Sequence, residues 1–187
     1  MKVFLAGVRG TAPVAGPAFA RYGGATTCLL VEGGRDARIL VDAGSGARAA
    51  GARLLERPGR GRAVLVLLTH YHLDHLIGLP GLAPLYRPGG RVDFAAPRRA
   101  GVTVAAVVRK LLGPPFWPVS VDRLPARVRC ITLPGRSAAV PRPYRGLTVR
   151  WCALPHPDGC TAYRVDEPAT GAALVVATDC EWRAATP

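Results

Sequence analysis

The stretch Ala63-Val64-Leu65-Val66-Leu67-Leu68-Thr69-His70-Tyr71-His72-Leu73-Asp74-His75 decides how this chain folds. Its first half is apolar without alternation, the pattern of a strand covered on both faces. A sheet covered on both sides needs layers above and below it, so the expected fold class is α/β, a layered sandwich. The second half places three of the chain's four histidines, and a carboxylate, just past the strand's carboxyl end. Ligands of α/β sheets bind there. His70 and His72, two apart in an extended loop, can turn to the same side and chelate one cation. Asp74 and His75, at the turn that follows, can face a second. Imidazole nitrogen and carboxylate oxygen are donors that zinc accepts at about 2.0–2.2 Å.

Outward from this segment, short apolar runs bounded by Gly, Pro and polar turns predict further strands. They are Lys2–Gly7, Thr26–Glu32, Arg38–Asp42, Arg91–Ala95, Arg127–Leu133, Leu147–Leu154, Thr161–Asp166 and Ala172–Thr178. Gly33-Gly34 suits a hairpin turn between the second and third strands of the chain. Helices are expected over Gly46–Glu56, from His75 to about Tyr86, and over Val102–Leu112, with Pro80 kinking or shortening the second. Pro114-Pro115-Phe116-Trp117-Pro118 reads as a packed surface loop. No repeat and no linker divides the chain, so residues 1–187 are expected to form a single domain.

Two more candidate ligands stand at strand ends. His156 follows the apolar strand Leu147–Leu154, and a cation held by His70 and His72 needs a third protein donor. Asp179 closes Ala172–Thr178, where its two oxygens can bridge two cations.

The composition excludes several classes. At 187 residues and 49% hydrophobic the chain can bury a core, so it is not a disordered segment. Arg, Gly or Pro interrupts every long apolar run, which leaves no candidate membrane span. Met1 to Val8 is too short an apolar stretch for a secretion signal and reads as a first strand, so the expected location is cytoplasmic. The five cysteines are scattered, with no CxxC pair, which argues against a disulfide framework or a cysteine zinc site. Cys160, close to His156, and Cys180, next to Asp179, are read as small apolar side chains. A net charge of +13 favours anionic partners. All the basic residues except Lys2 and Lys110 are arginines, and these are spread along the chain rather than gathered into a nucleic-acid motif.

His70, His72, Asp74 and His75 match in full the HxHxDH motif of the metallo-β-lactamase superfamily, and the chain resembles that superfamily over nearly its whole length. Gly7-Val8-Arg9-Gly10-Thr11-Ala12-Pro13 and Arg21-Tyr22-Gly23-Gly24-Ala25-Thr26-Thr27-Cys28 are similar to the opening of the branch that holds ribonuclease Z and phosphoribosyl cyclic phosphodiesterases. Val41-Asp42-Ala43-Gly44-Ser45-Gly46, His75-Leu76-Ile77-Gly78-Leu79-Pro80, His156-Pro157 and Ala177-Thr178-Asp179 follow in the family's order. The resemblance implies a four-layer αββα sandwich with metals at one edge. It implies one or two zinc ions, with manganese or iron as alternatives. His70, His72 and His156 would hold the first ion and Asp74 and His75 the second. Asp179 would bridge, and Asp42 would orient the histidine loop by hydrogen bonding. Two departures stand out. Ala25 replaces the Asn usual after the paired glycines. The chain also stops at Pro187, soon after Asp179, without the further histidine that relatives supply, so the C-terminal part is expected to be incomplete.

By the same resemblance the activity is hydrolysis by a zinc-bound hydroxide, with Asp74 or Asp179 orienting the nucleophile. The expected substrate is a small anionic phosphodiester, a cyclic nucleotide or phosphoribosyl cyclic phosphate, with RNA as a further partner. No Gly- and basic-rich insertion like the transfer-RNA arm of ribonuclease Z is present. Carboxylic ester, lactone or thioester hydrolysis on the same fold stays open, as does a truncated, non-catalytic metal- or nucleic-acid-binding protein. The sequence gives no oligomeric state.

Overall fold

The computed structural model describes residues 1–56, 63–135 and 138–181. Among the described residues, ten strands form two sheets. The first sheet holds, in chain and spatial order, β1 (Lys2–Gly7), β2 (Cys28–Gly33), β3 (Ala37–Val41), β4 (Ala63–Leu67), β5 (Arg91–Pro97) and β6 (Arg127–Leu133). Its first two pairings are antiparallel and those from β3 to β6 are parallel. The second sheet is wholly antiparallel, in the order β10 (Ala172–Val176), β9 (Cys160–Glu167), β8 (Leu147–Leu154), β7 (Ala138–Tyr144).

The unbroken apolar run of β4 has the cause the sequence suggests. Val64, Val66 and Leu68 pack with Ala47, Ala50 and Leu54 of α1 (Ala47–Glu56) and with Val104 and Val108 of α2 (Val104–Leu111). Leu65 and Leu67 face the other way, onto Leu147, Val149, Trp151, Tyr163 and Val165 of the second sheet. Alternate residues of one strand thus serve two cores, which makes the α/β sandwich. Helix, first sheet and second sheet are three of the four expected layers. A helical layer over the outer face of the second sheet is not among the described residues.

Three local expectations change. The helix expected from His75 to Tyr86 is instead three short 3-10 turns, Leu73–His75, Leu79–Gly81 and Ala83–Tyr86. Pro80 and Pro84 lack the N–H groups that a continuous α-helix would need there. β7 was not foreseen, because Pro141 and Pro143 argue against a strand; it lies at the edge of its sheet, where proline is tolerated. α2 begins at Val104 rather than Val102 because Thr103 caps it, its hydroxyl accepting from the Ala106 N–H at 3.2 Å. In the Pro-rich loop Trp117 packs against the helical core while Phe116 stays exposed. No helix among the described residues is long and apolar enough to cross a membrane.

Glu167 ties the two sheets together at the end opposite the histidines. Its carboxylate accepts from the Met1 amino group at 2.6 Å, from the Gly34 N–H, and from the Thr170 hydroxyl at 2.6 Å. The Gly34 N–H foremost, then the Met1 ammonium and Thr170, pull its pKa down from 4.5 to about 2. A carboxylate depressed in the folded state stabilises fully above its unfolded pKa, and that contribution disappears as pH falls through the folded value. Glu167→Gln is therefore expected to flatten the loss of stability between pH 4.5 and about 2, read from urea midpoints across that range.

Candidate metal centre

Every candidate ligand lies at one end of the sandwich, on loops that leave strand ends. Asp42 follows β3, His70 to His75 follow β4, His156 follows β8, and Asp179 follows β10. Backbone hydrogen bonds fix the loops to one another. The Ala43 N–H donates to the His75 carbonyl at 2.8 Å and the Gly78 N–H to the Ala43 carbonyl at 2.9 Å. The Glu181 N–H donates to the Pro155 carbonyl at 2.7 Å, which brings the segment after β10 beside the loop that carries His156.

Gly44 permits one of these close approaches. A Cβ there would come within 2.6 Å of the Thr27 carbonyl oxygen, and nearer still to the Thr26 hydroxyl and the Asp74 carbonyl. Backbone cannot yield as a flexible side chain can. Gly44→Ala is expected to lower stability by about 1–3 kcal/mol, seen as a reduced urea midpoint at unchanged slope.

Asp42 sits at φ 61°, in the left-handed region that side chains other than glycine rarely adopt. Its carboxylate explains why that conformation is kept. Oδ1 accepts from the Thr69 N–H at 2.8 Å, Oδ2 from the Thr69 hydroxyl at 2.8 Å, and Oδ2 also receives the His75 Nδ1–H at 2.7 Å. The single hydroxyl proton of Thr69 is thereby committed to Asp42, so the Thr69 oxygen accepts from His70 Nδ1–H at 3.0 Å. Each ring thus donates from Nδ1 and turns its Nε2 toward the cluster. Burial raises the Asp42 pKa, opposed by His75 and Thr69.

The donors of the cluster are spaced as the corners of a coordination shell. His72 Nδ1 and His156 Nε2 are 3.2 Å apart; Asp179 Oδ2 is 3.7 Å from His156 Nε2 and 3.9 Å from His70 Nε2. Donors held tetrahedrally at 2.0–2.1 Å from a zinc ion stand about 3.3 Å from each other. The second oxygen of Asp179, Oδ1, lies 3.5 Å from His75 Nε2, which is itself 3.5 Å from Asp74 Oδ2. Asp179 therefore turns one oxygen to each group, as a bridge would. His70, His72 and His156 form one set able to hold a cation, and His70, His75 and Asp179 another. Asp74 is held by the Thr11 N–H, which donates to its Oδ2 at 2.8 Å.

A divalent cation fits this set for an electrostatic reason. His70 Nε2 is buried with no hydrogen-bond partner among the described residues, an arrangement that costs free energy unless a ligand satisfies it. Burial, followed by the neighbouring imidazoles of His75 and His72, pushes the His70 pKa down to about 4, so its lone pair is free at neutral pH. Burial also opposes a proton on His75, but its hydrogen bond to Asp42 and the carboxylates of Asp42, Asp74 and Asp179 outweigh it and raise its pKa. The field that favours a proton there equally favours a metal cation. Cys160 is buried against the Thr178 hydroxyl and Cys180 is exposed; neither joins a group of donors among the described residues.

All six sequence candidates, and Asp42 behind them, come together. Thr69 and Thr11 were missed. Thr69 stands directly before His70, a hint of sorts, whereas Thr11 acts through its backbone and leaves no signal in its side chain. The departure at Ala25 is compensated in part by backbone, since its carbonyl accepts from the N–H groups of Val8 and Arg9 at 3.1 Å.

Residues 21–95, which include β2 to β4 and the whole histidine loop, match the family model described as the metallo-beta-lactamase superfamily. Over these residues the chain is similar to the metallo-β-lactamase superfamily. Among curated proteins it is 40% identical over 108 residues to a ribonuclease Z of Bradyrhizobium sp. (strain ORS 278), covering 52% of this chain and 32% of that protein. It is 50% identical over 87 residues to a ribonuclease Z of Bradyrhizobium diazoefficiens, covering 46% of this chain and 27% of that protein. The matched region thus spans about a third or less of these relatives. Two solved structures show the metallo-β-lactamase fold. Human tRNase Z, short form, aligns at a TM-score of 0.64 and 15% identity over 99% of this chain and 71% of that one. The metallo-beta-lactamase fold protein YhfI of Bacillus subtilis aligns at 0.56 and 18% over 92% and 61%.

Proposed function

We propose that this chain, as one cytoplasmic domain, is a metal-dependent hydrolase of phosphodiesters, with zinc as the preferred ion. The observation that carries the reading is the convergence of His70, His72, His156 and Asp179 within coordination spacing, with His70 Nε2 buried and unpaired among the described residues. Support for a diester comes from the curated relatives, both named ribonuclease Z, and from the net charge of +13. The cysteines are all unpaired, which suits a reducing compartment.

His70, His72 and His156 would hold the first ion, Asp74 and His75 the second, and Asp179 would span both; manganese or iron suits the same donors. A bound divalent cation lowers the pKa of water toward neutrality and offsets negative charge on the phosphate oxygens. Asp74 and Asp179 are the carboxylates placed to accept a proton from the attacking water and to aim it. As water adds to phosphorus, the ester P–O bond breaks and the leaving oxygen takes up a proton. Asp42 and Thr69 keep the His70 and His75 rings in register throughout.

The test is a panel of bis(p-nitrophenyl) phosphate, cyclic nucleotides, a short RNA, a lactone and a thioester. Diester turnover that disappears with a chelator and returns with zinc is expected. Lactone or thioester turnover with no diester turnover contradicts the reading. Stoichiometric metal with no turnover of any ester leaves a non-catalytic metal-binding protein in its place.

A further inference from the structure

The three histidines able to hold one cation come from two sheets. His70 and His72 follow β4 of the first sheet, and His156 follows β8 of the second. Their spacing therefore depends on what ties the two loops together. Tyr163 ties the sheets themselves, because its buried hydroxyl donates to the Leu68 carbonyl at 2.7 Å. The turn that bears His156 needs a tie of its own, and Arg99 reaches it from the first sheet.

Arg99 stands just past β5. Its Nη2 donates to the Cys160 carbonyl at 2.8 Å and to the Thr161 hydroxyl, both at the start of β9. Gly159 lies against the same guanidinium, since a Cβ there would come within 2.7 Å of Arg99 Nη1. One tight turn leads back from Gly159 to His156. The Gly159 N–H donates to the His156 carbonyl at 2.8 Å, with Asp158 and Gly159 at φ 59° and 78°. Arg99 is itself anchored toward the histidine loop. Its backbone N–H and carbonyl pair with Val102 at 3.0 and 2.7 Å. The hydroxyl of Tyr71, between His70 and His72, donates to the Pro97 carbonyl at 3.1 Å. A path of hydrogen bonds and short chain segments thus runs from His72, through the end of β5 and Arg99, to His156.

We propose that Arg99 is a positioning residue of the metal centre, holding the His156 turn at the distance from His72 that a shared cation requires. The inference rests on the metal-centre reading and adds to it a residue that acts through His156. The sign of its effect separates position from charge. A guanidinium near a divalent cation repels it, so as a bare charge Arg99 would weaken metal binding and its removal would tighten it. As a positioning group its removal weakens binding, by the roughly 10–100-fold usual for groups that orient metal ligands.

The test reads zinc affinity of the full chain by chelator competition, and the absorption spectrum of the cobalt-loaded chain, for wild type, Arg99→Ala, Arg98→Ala and Thr161→Val. Arg98 is the charge control, exposed and donating to the Gly101 carbonyl of its own turn at 2.8 Å. Thr161→Val removes one acceptor of Arg99 at nearly unchanged shape. Arg99→Ala is expected to lower zinc affinity at least about tenfold and to move the cobalt spectrum toward that of His156→Ala. Thr161→Val is expected to lower affinity by less, and Arg98→Ala to leave both readouts unchanged. Zinc bound by Arg99→Ala as tightly as by wild type, or more tightly, overturns the inference. So does an equal loss in Arg98→Ala, or a wild-type cobalt spectrum in Arg99→Ala. If Arg99→Ala does not fold, unchanged zinc affinity in Thr161→Val overturns it instead. A wild-type chain that binds no zinc removes the metal-centre reading and the role of Arg99 with it, whereas zinc held alike by wild type and Arg99→Ala removes the role of Arg99 alone.

Discussion

Asp179→Ala is expected to lower diester turnover by on the order of 10³-fold or more, since metal stabilisation of developing charge amounts to several kcal/mol. Its two oxygens face the two halves of the cluster. One oxygen lies 3.5 Å from His75 and the other 3.7 Å from His156. Its removal takes a negative donor from each position, and metal content measured by plasma mass spectrometry should fall in parallel. The folded state should persist, because the Asp179 side chain is 35% exposed and stands outside both apolar cores. A variant with full metal content and undiminished turnover would remove Asp179 from the site.

Asp42→Asn should act one step further out and on two quantities at once. Three donors converge on the carboxylate: the Thr69 N–H, the Thr69 hydroxyl and His75 Nδ1–H. An amide of the same shape has one accepting oxygen and presents N–H to a donor. At least one donor then loses its partner inside a fully buried site. The expected costs are about 1–3 kcal/mol of stability and about 10–100-fold in metal affinity. Urea denaturation reads the first and chelator competition the second. Loss of stability with metal affinity intact would make Asp42 a turn residue and nothing more.

Much of this arrangement was legible in the chain, for reasons that differ by residue. Ala63–Leu67 reads as a strand because it is buried on both faces, which leaves an apolar run that no polar residue interrupts. His156 and Asp179 were legible only as polar residues that end apolar strands; nothing in the sequence says that His156 comes within 3.2 Å of His72 across 84 positions. β7 was hidden by its prolines, which cost nothing on an edge. The supposed helix after His75 failed because apolar spacing outweighed Pro80 and Pro84, whose missing N–H groups break it. Thr69 and Thr11 were invisible for another reason. Each acts by a hydrogen bond that exists only after distant loops meet.

The most direct measurement is metal content per chain for the wild type, His72→Ala and His156→Ala after exhaustive dialysis. At least one tightly held divalent ion per wild-type chain is expected, and its loss in each variant, although the two histidines lie on separate loops after β4 and β8. An ion retained in full by His156→Ala, or a wild-type chain that binds none from zinc-containing buffer, would contradict a shared metal centre.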